Sequence, residues 1–151
     1  MTRRCVTFAL VVFALNFMWE MAQGGLFASM LALPFWAATR RCFVAATGDV
    51  VITAIAFALA AAVSRHIEWP LMRDRLGLGT AVFLVAGLGI AIAFEHWALA
   101  TGRWQYSTRM PVVSGVGVVP LVQWIFVPLV SLPLFRMIWS NAHFAHDVYR
   151  Q

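Results

Sequence analysis

The sequence predicts an all-α, polytopic membrane protein: one four-helix transmembrane bundle over residues 1–151. Three observations predict it. Hydrophobic residues make up 62% of the chain and mean hydropathy is +0.82, leaving more apolar surface than a soluble domain of this length can hide. Four apolar runs, about 5–27, 44–63, 80–100 and 116–139, each approach the length a helix needs to cross a bilayer. The runs also lack the polar alternation of barrel strands, and isolated strand edges cannot sit in lipid.

The first run comes after Met1-Thr2-Arg3-Arg4, as in a signal peptide. Its best cleavage site, with Ala22 and Gly24 at the −3 and −1 positions, is poor, so an uncleaved helix is expected. Residues 29–43 are apolar in part, contain Pro34 and end at Arg40-Arg41; they are too short to span again and are expected to lie as an interfacial or re-entrant piece. The segment 112–119, with Ser114, Gly115 and Gly117, is expected to do the same before the fourth run. Pro120 suits the first turn of a helix, while Pro128 and Pro133 should kink the rest of that run.

All eleven basic residues are arginine, giving net charge +5 and a pI near 10.6. They cluster at span ends rather than in a stripe, which fits anionic lipid and gives no reason to expect nucleic acid. Four spans put both termini on one side, with Arg3, Arg4, Arg65, Arg73, Arg75, Arg136 and Arg150 there and Arg40, Arg41, Arg103 and Arg109 opposite. That asymmetry predicts cytoplasmic termini. Cys5 and Cys42 fall near opposite ends of the first two spans and are not expected to pair.

Three of the six acidic residues, Glu20, Asp49 and Glu95, sit inside different apolar runs. A charge at the bilayer centre costs about 2.5–3.5 kcal/mol even on insertion scales, so such residues face the bundle interior, pair, or serve a function. Helix rise places Glu20 roughly 22 Å from the inner end of its span, Asp49 and Glu95 about 8 Å from the outer ends of theirs, and Gln123 about 10 Å in from the same side. One polar group per helix at one level marks a layer near the outer face. Asn16, Glu20 and Gln23 share a helix face by their i, i+4, i+7 spacing, and Asp49 and Thr53 repeat i, i+4. Gly87, Ala91 and Glu95 form a small-residue track that lets a neighbouring helix approach and turns Glu95 inward.

Above this layer runs the most polar loop, residues 101–111. Its Arg103 and Arg109 are expected either to fold down onto a carboxylate, closing the layer like a lid, or to hold an anionic headgroup. Glu20, Asp49 and Glu95 are therefore the candidate catalytic acids and bases, and Asn16, Gln23, Arg103, Tyr106, Arg109 and Gln123 the candidate substrate-binding residues. The competing reading is that these groups only bond one another and tie helices together. His96 is read as an interface residue and His143-x-x-His146-Asp147 as a solvated tail, so no metal site is expected. No cofactor motif is present.

Asn16-Phe17-x-Trp19-Glu20-x-x-Gln23, Gly48-Asp49, Gly102-x-Trp104-x-Tyr106-Ser107-x-x-Met110-Pro111 and Gly115-x-Gly117-x-x-Pro120-x-x-Gln123-Trp124 resemble a family of small four-span bacterial inner-membrane proteins of uncharacterised activity. The resemblance covers most of the chain and implies the architecture and a bacterial inner-membrane location, with no activity. A looser architectural likeness is to the emopamil-binding sterol-isomerase type, where acidic and amide side chains line a membrane cavity; no residue carries over. Two functions are expected. One is an enzyme acting on a lipid or isoprenoid-linked substrate from the outer leaflet, with one carboxyl as acid and another as base, or with a divalent cation held by the same acids. The other is a non-catalytic small subunit of a larger membrane complex, its polar layer meeting a membrane-protein partner. Ion passage is disfavoured, because the inner half of the spans carries few polar residues, among them Thr7, Ser64 and Ser131.

Overall fold

Four helices of the computed structural model are long and apolar enough to cross a membrane: Arg3–Leu26, Phe35–Ser64, Leu78–Ala100 and Val118–Ile138. The structure describes residues 2–66 and 77–148, with side chains over 3–66 and 77–138. Asp74, Arg73, Arg75 and Arg150 lie outside the described residues, as do the side chains of His143, His146 and Asp147. In chain order the elements are α1 (Thr2–Gln23), a 3₁₀ turn (Gly24–Leu26), α2 (Ala28–Leu31), α3 (Phe35–Ser64), α4 (Leu78–Ala100), β1 (Val112–Val113), β2 (Val116–Gly117) and α5 (Val118–Val148).

The four long helices close a ring in which α1 and α4 each pack against α3 and α5. Small residues make this approach close: Ala46, Ala56 and Ala60 of α3 are wholly buried, and a Cβ added at Gly87 of α4 would lie 3.0 Å from the Trp124 ring of α5. At one end of the bundle Phe8, Val12, Ala56, Ala60, Phe83, Leu132 and Phe135 form the apolar core, with the Phe8 and Phe135 rings edge to face at 5.2 Å. Large side chains such as Leu10, Met18, Val85 and Phe126 point outward, as a surface solvated by lipid requires.

The second span differs from the expectation. Residues 35–43 do not form a separate re-entrant piece but are the first turns of α3, which runs 30 residues without a break. Pro34 sits at the N-cap, where its missing N–H is no loss, and its carbonyl accepts the first helical bond from Ala38 N at 3.0 Å. Only residues 28–31 form a short turn of helix before it. The chain before α5 folds into a two-stranded antiparallel hairpin pairing Val112 with Gly117 and Val113 with Val116. Ser114 and Gly115 both have positive φ, 51° and 81°, as a two-residue type I′ turn demands. The helix therefore starts at Val118, and Pro120 lies in its first turn.

Candidate functional site

Helix α1 brings Asn16, Glu20 and Gln23 to one interior face, as their spacing requires, and α5 answers with Gln123, which is 2% exposed. Gln123 is the hub of the layer. Its amide nitrogen donates towards Asn16 Oδ1 at 2.9 Å, Asp49 Oδ2 at 3.0 Å and Glu20 Oε1 at 3.2 Å, and its carbonyl oxygen accepts from Gln23 Nε2 at 3.1 Å. Gln23 Nε2 also donates to Glu20 Oε1 at 2.7 Å, and Gln23 Oε1 accepts from the Trp19 indole at 3.2 Å. Asn16 Nδ2 turns back to Val12 O at 3.0 Å. Three helices, α1, α3 and α5, are thus joined through one side chain. Cys42 adds a thiol contact from α3 to the Glu20 backbone oxygen at 3.4 Å.

An amide nitrogen carries two hydrogens, and here three acceptors face it. Among the described residues neither Glu20 Oε2 nor Asp49 Oδ1 has a hydrogen-bond partner. Both carboxylates are only half-buried although they reach into the bundle. The layer therefore holds two acids that share a donor and keep one open oxygen each.

Glu95, the third acid, belongs to the same region: the three carboxylates lie within mutual electrostatic reach. It is held from above. Trp104 Nε1 and Tyr106 OH both donate to Glu95 Oε2, at 3.1 and 2.6 Å, and the short phenol contact has the length of a charge-assisted bond. The phenol oxygen in turn accepts from Gly117 N at 2.9 Å. Burial first, and then the Glu95 bond, push the Tyr106 phenol well above the ordinary tyrosine range, so it stays a donor. The loop that carries both rings is fastened to the 3₁₀ turn and to α2 by Ser107 N to Leu26 O at 2.8 Å and Ala28 N to Gln105 O at 2.9 Å.

The expected arginine lid does not form. Arg103 is exposed, with its guanidinium 4.5 Å from the centroid of the Trp97 ring, and Arg109 is exposed as well. Among the described residues neither pairs with Glu20, Asp49 or Glu95. The end of α4 explains the outcome. Gly102, with φ 67°, ends the helix in a Schellman motif, in which Arg103 N bonds Ala98 O at 2.9 Å and Gly102 N bonds Leu99 O at 3.1 Å. Arg103 is thereby laid back along α4 towards Trp97, and the next residue, Trp104, enters the interior. An indole N–H and a phenol also lose far less on leaving water than a guanidinium does. Of the residues predicted for the site, Asn16, Glu20, Gln23, Asp49 and Gln123 meet in one network, Glu95 and Tyr106 meet in a second beside it, and Arg103 and Arg109 stand outside both.

Beneath the layer lies a cavity of about 10 Å³. Among these residues no three His, Cys, Asp or Glu side chains are arranged to hold a metal ion. Compared with protein-family models, with curated proteins and with solved structures, the chain matches none.

Proposed function

We propose that this multi-pass protein resides in a bacterial inner membrane with its polar layer towards the outer leaflet, and that Glu20 and Asp49 act there as an acid–base pair on a lipid or isoprenoid-linked substrate. The observation that carries the reading is the pair of open oxygens, Glu20 Oε2 and Asp49 Oδ1, on two acids that share the Gln123 amide and keep access to the surroundings. Two neighbouring carboxyls whose ionised forms repel each other favour a state in which one carries the proton, and such a pair can protonate one substrate atom and deprotonate another. Asn16, Gln23 and Gln123 orient the acids, while Glu95, Trp104 and Tyr106 close the loop over them. The substrate engages the two open oxygens from the side of the bundle or after the loop lifts. The four-span family resemblance in the sequence supports the location.

A second reading, the non-catalytic subunit, is supported by the same open oxygens: a basic or hydrogen-bond-donating group of a partner helix would fill them. Mass spectrometry of detergent-purified protein separates the readings. The enzyme reading expects a copurifying apolar lipid that is lost in Glu20→Gln with folding intact; stoichiometric copurification of another membrane protein without such a lipid would favour the subunit. For orientation, a cysteine placed at Ser107 should react with an impermeant maleimide from outside the cell, and labelling only after the membrane is opened would reverse the proposed topology.

A further inference from the structure

The cavity under the polar layer is lined in part by Asn16, Thr53, Gln123, Trp124, Pro128 and Ser131. Thr53 is the unusual member. In this chain Thr39, Thr47 and Thr101 each turn the hydroxyl back onto the carbonyl four residues earlier, at 2.9, 2.8 and 2.8 Å. That is how a helix in lipid ordinarily satisfies a threonine. Thr53 does not. It is 6% exposed, and its hydroxyl has no partner among the described residues.

Two acceptors belong to residues that line the same space. Pro128 has no N–H, so the Trp124 carbonyl one turn earlier loses its helical donor. Ser131, wholly buried, donates to Pro128 O at 3.2 Å and keeps lone pairs on Oγ. Asn16 Oδ1 and both ends of the Gln123 amide are committed to the layer above, and Asn16 Nδ2 donates to Val12 O. What remains is one donor and two acceptors around about 10 Å³, roughly the least volume that accepts a water molecule.

We propose that this cavity is a binding site for a single water molecule, which accepts from the Thr53 hydroxyl and donates to the Trp124 carbonyl and to Ser131 Oγ. Such a water has the three bonds typical of buried waters. It ties α3 to the proline break of α5 one level below the Gln123–Asp49 bond, adding a second link between two helices that face each other across the ring. It also mends the helix where Pro128 interrupts it.

Thr53→Val gives a test by sign, since valine keeps the shape and removes only the hydroxyl. If the hydroxyl holds a water, the variant loses one buried hydrogen bond, and Tm falls by roughly 2–4 °C for a chain of this size. An unchanged or raised Tm means that the hydroxyl was an orphan in a dry cavity, and overturns the proposal. Should Thr53→Val fail to fold, a high-resolution density map of the wild-type protein decides. A peak within hydrogen-bond reach of Thr53 Oγ1 and Trp124 O supports the site, and an empty cavity removes it.

Discussion

Replacing Tyr106 with Phe deletes one oxygen and two hydrogen bonds, and nothing nearby can restore either. The first is the 2.6 Å bond to Glu95 Oε2. Hydrogen bonds to charged groups contribute about 1.5–3 kcal/mol, and the Trp104 indole that stays on the same oxygen keeps the loss towards the lower end. The second is the bond from Gly117 N at 2.9 Å, whose loss leaves a buried N–H without an acceptor at a cost of about 1–3 kcal/mol. A combined destabilisation of about 2–4 kcal/mol is expected. The assay is equilibrium unfolding in detergent micelles of wild type, Tyr106→Phe, Glu95→Gln and the double variant. A coupling energy of about 1 kcal/mol or more between the two positions is the expected result. Independent losses, or a Tyr106→Phe loss below about 0.5 kcal/mol, would refute the idea that this ring latches the loop over the acids.

Two glycines of α4 offer a contrast of sign. A Cβ at Gly87 would press on the Trp124 ring at 3.0 Å, so Gly87→Ala should destabilise, as overpacking costs about 1–3 kcal/mol, while Gly89, with nothing within 4 Å, should accept alanine and gain up to about 1 kcal/mol of helix propensity. Thermal unfolding of the two variants checks this, and equal shifts would mean that α4 and α5 do not meet at Gly87.

The layer is legible in the sequence because helix geometry is fixed. A constant rise per residue places Glu20, Asp49 and Gln123 at one depth before any contact is known, and their hydrogen bonds result from it. The i, i+4, i+7 spacing likewise places Asn16 and Gln23 beside Glu20. The partner of Glu95 is misread when charge is matched with charge. Trp104 and Tyr106, 9 and 11 residues further on, are brought back over it by the reversal at Gly102, a backbone event that only a glycine after the last apolar turn hints at. The continuity of α3 is hidden by Pro34 and the Arg40-Arg41 pair, which read as a break although proline at a helix start is favourable. The hairpin has a signal of its own, Ser114-Gly115 between Val112-Val113 and Val116-Gly117, but its strands are two residues long and apolar enough to pass for membrane-inserted chain. The cavity at Thr53 has none, since it depends on which way one hydroxyl turns.

The central claim is that Glu20 and Asp49 serve a function and are not there to hold the bundle together. The most direct measurement is the unfolding midpoint of the double variant Glu20→Gln, Asp49→Asn. Each amide can keep its oxygen where Gln123 now donates and place its nitrogen at the open position, so the network survives while two desolvated acids are removed. The account predicts a midpoint equal to or above that of wild type, together with loss of the bound substrate. A clearly lower midpoint would contradict it and make the acids part of the scaffold.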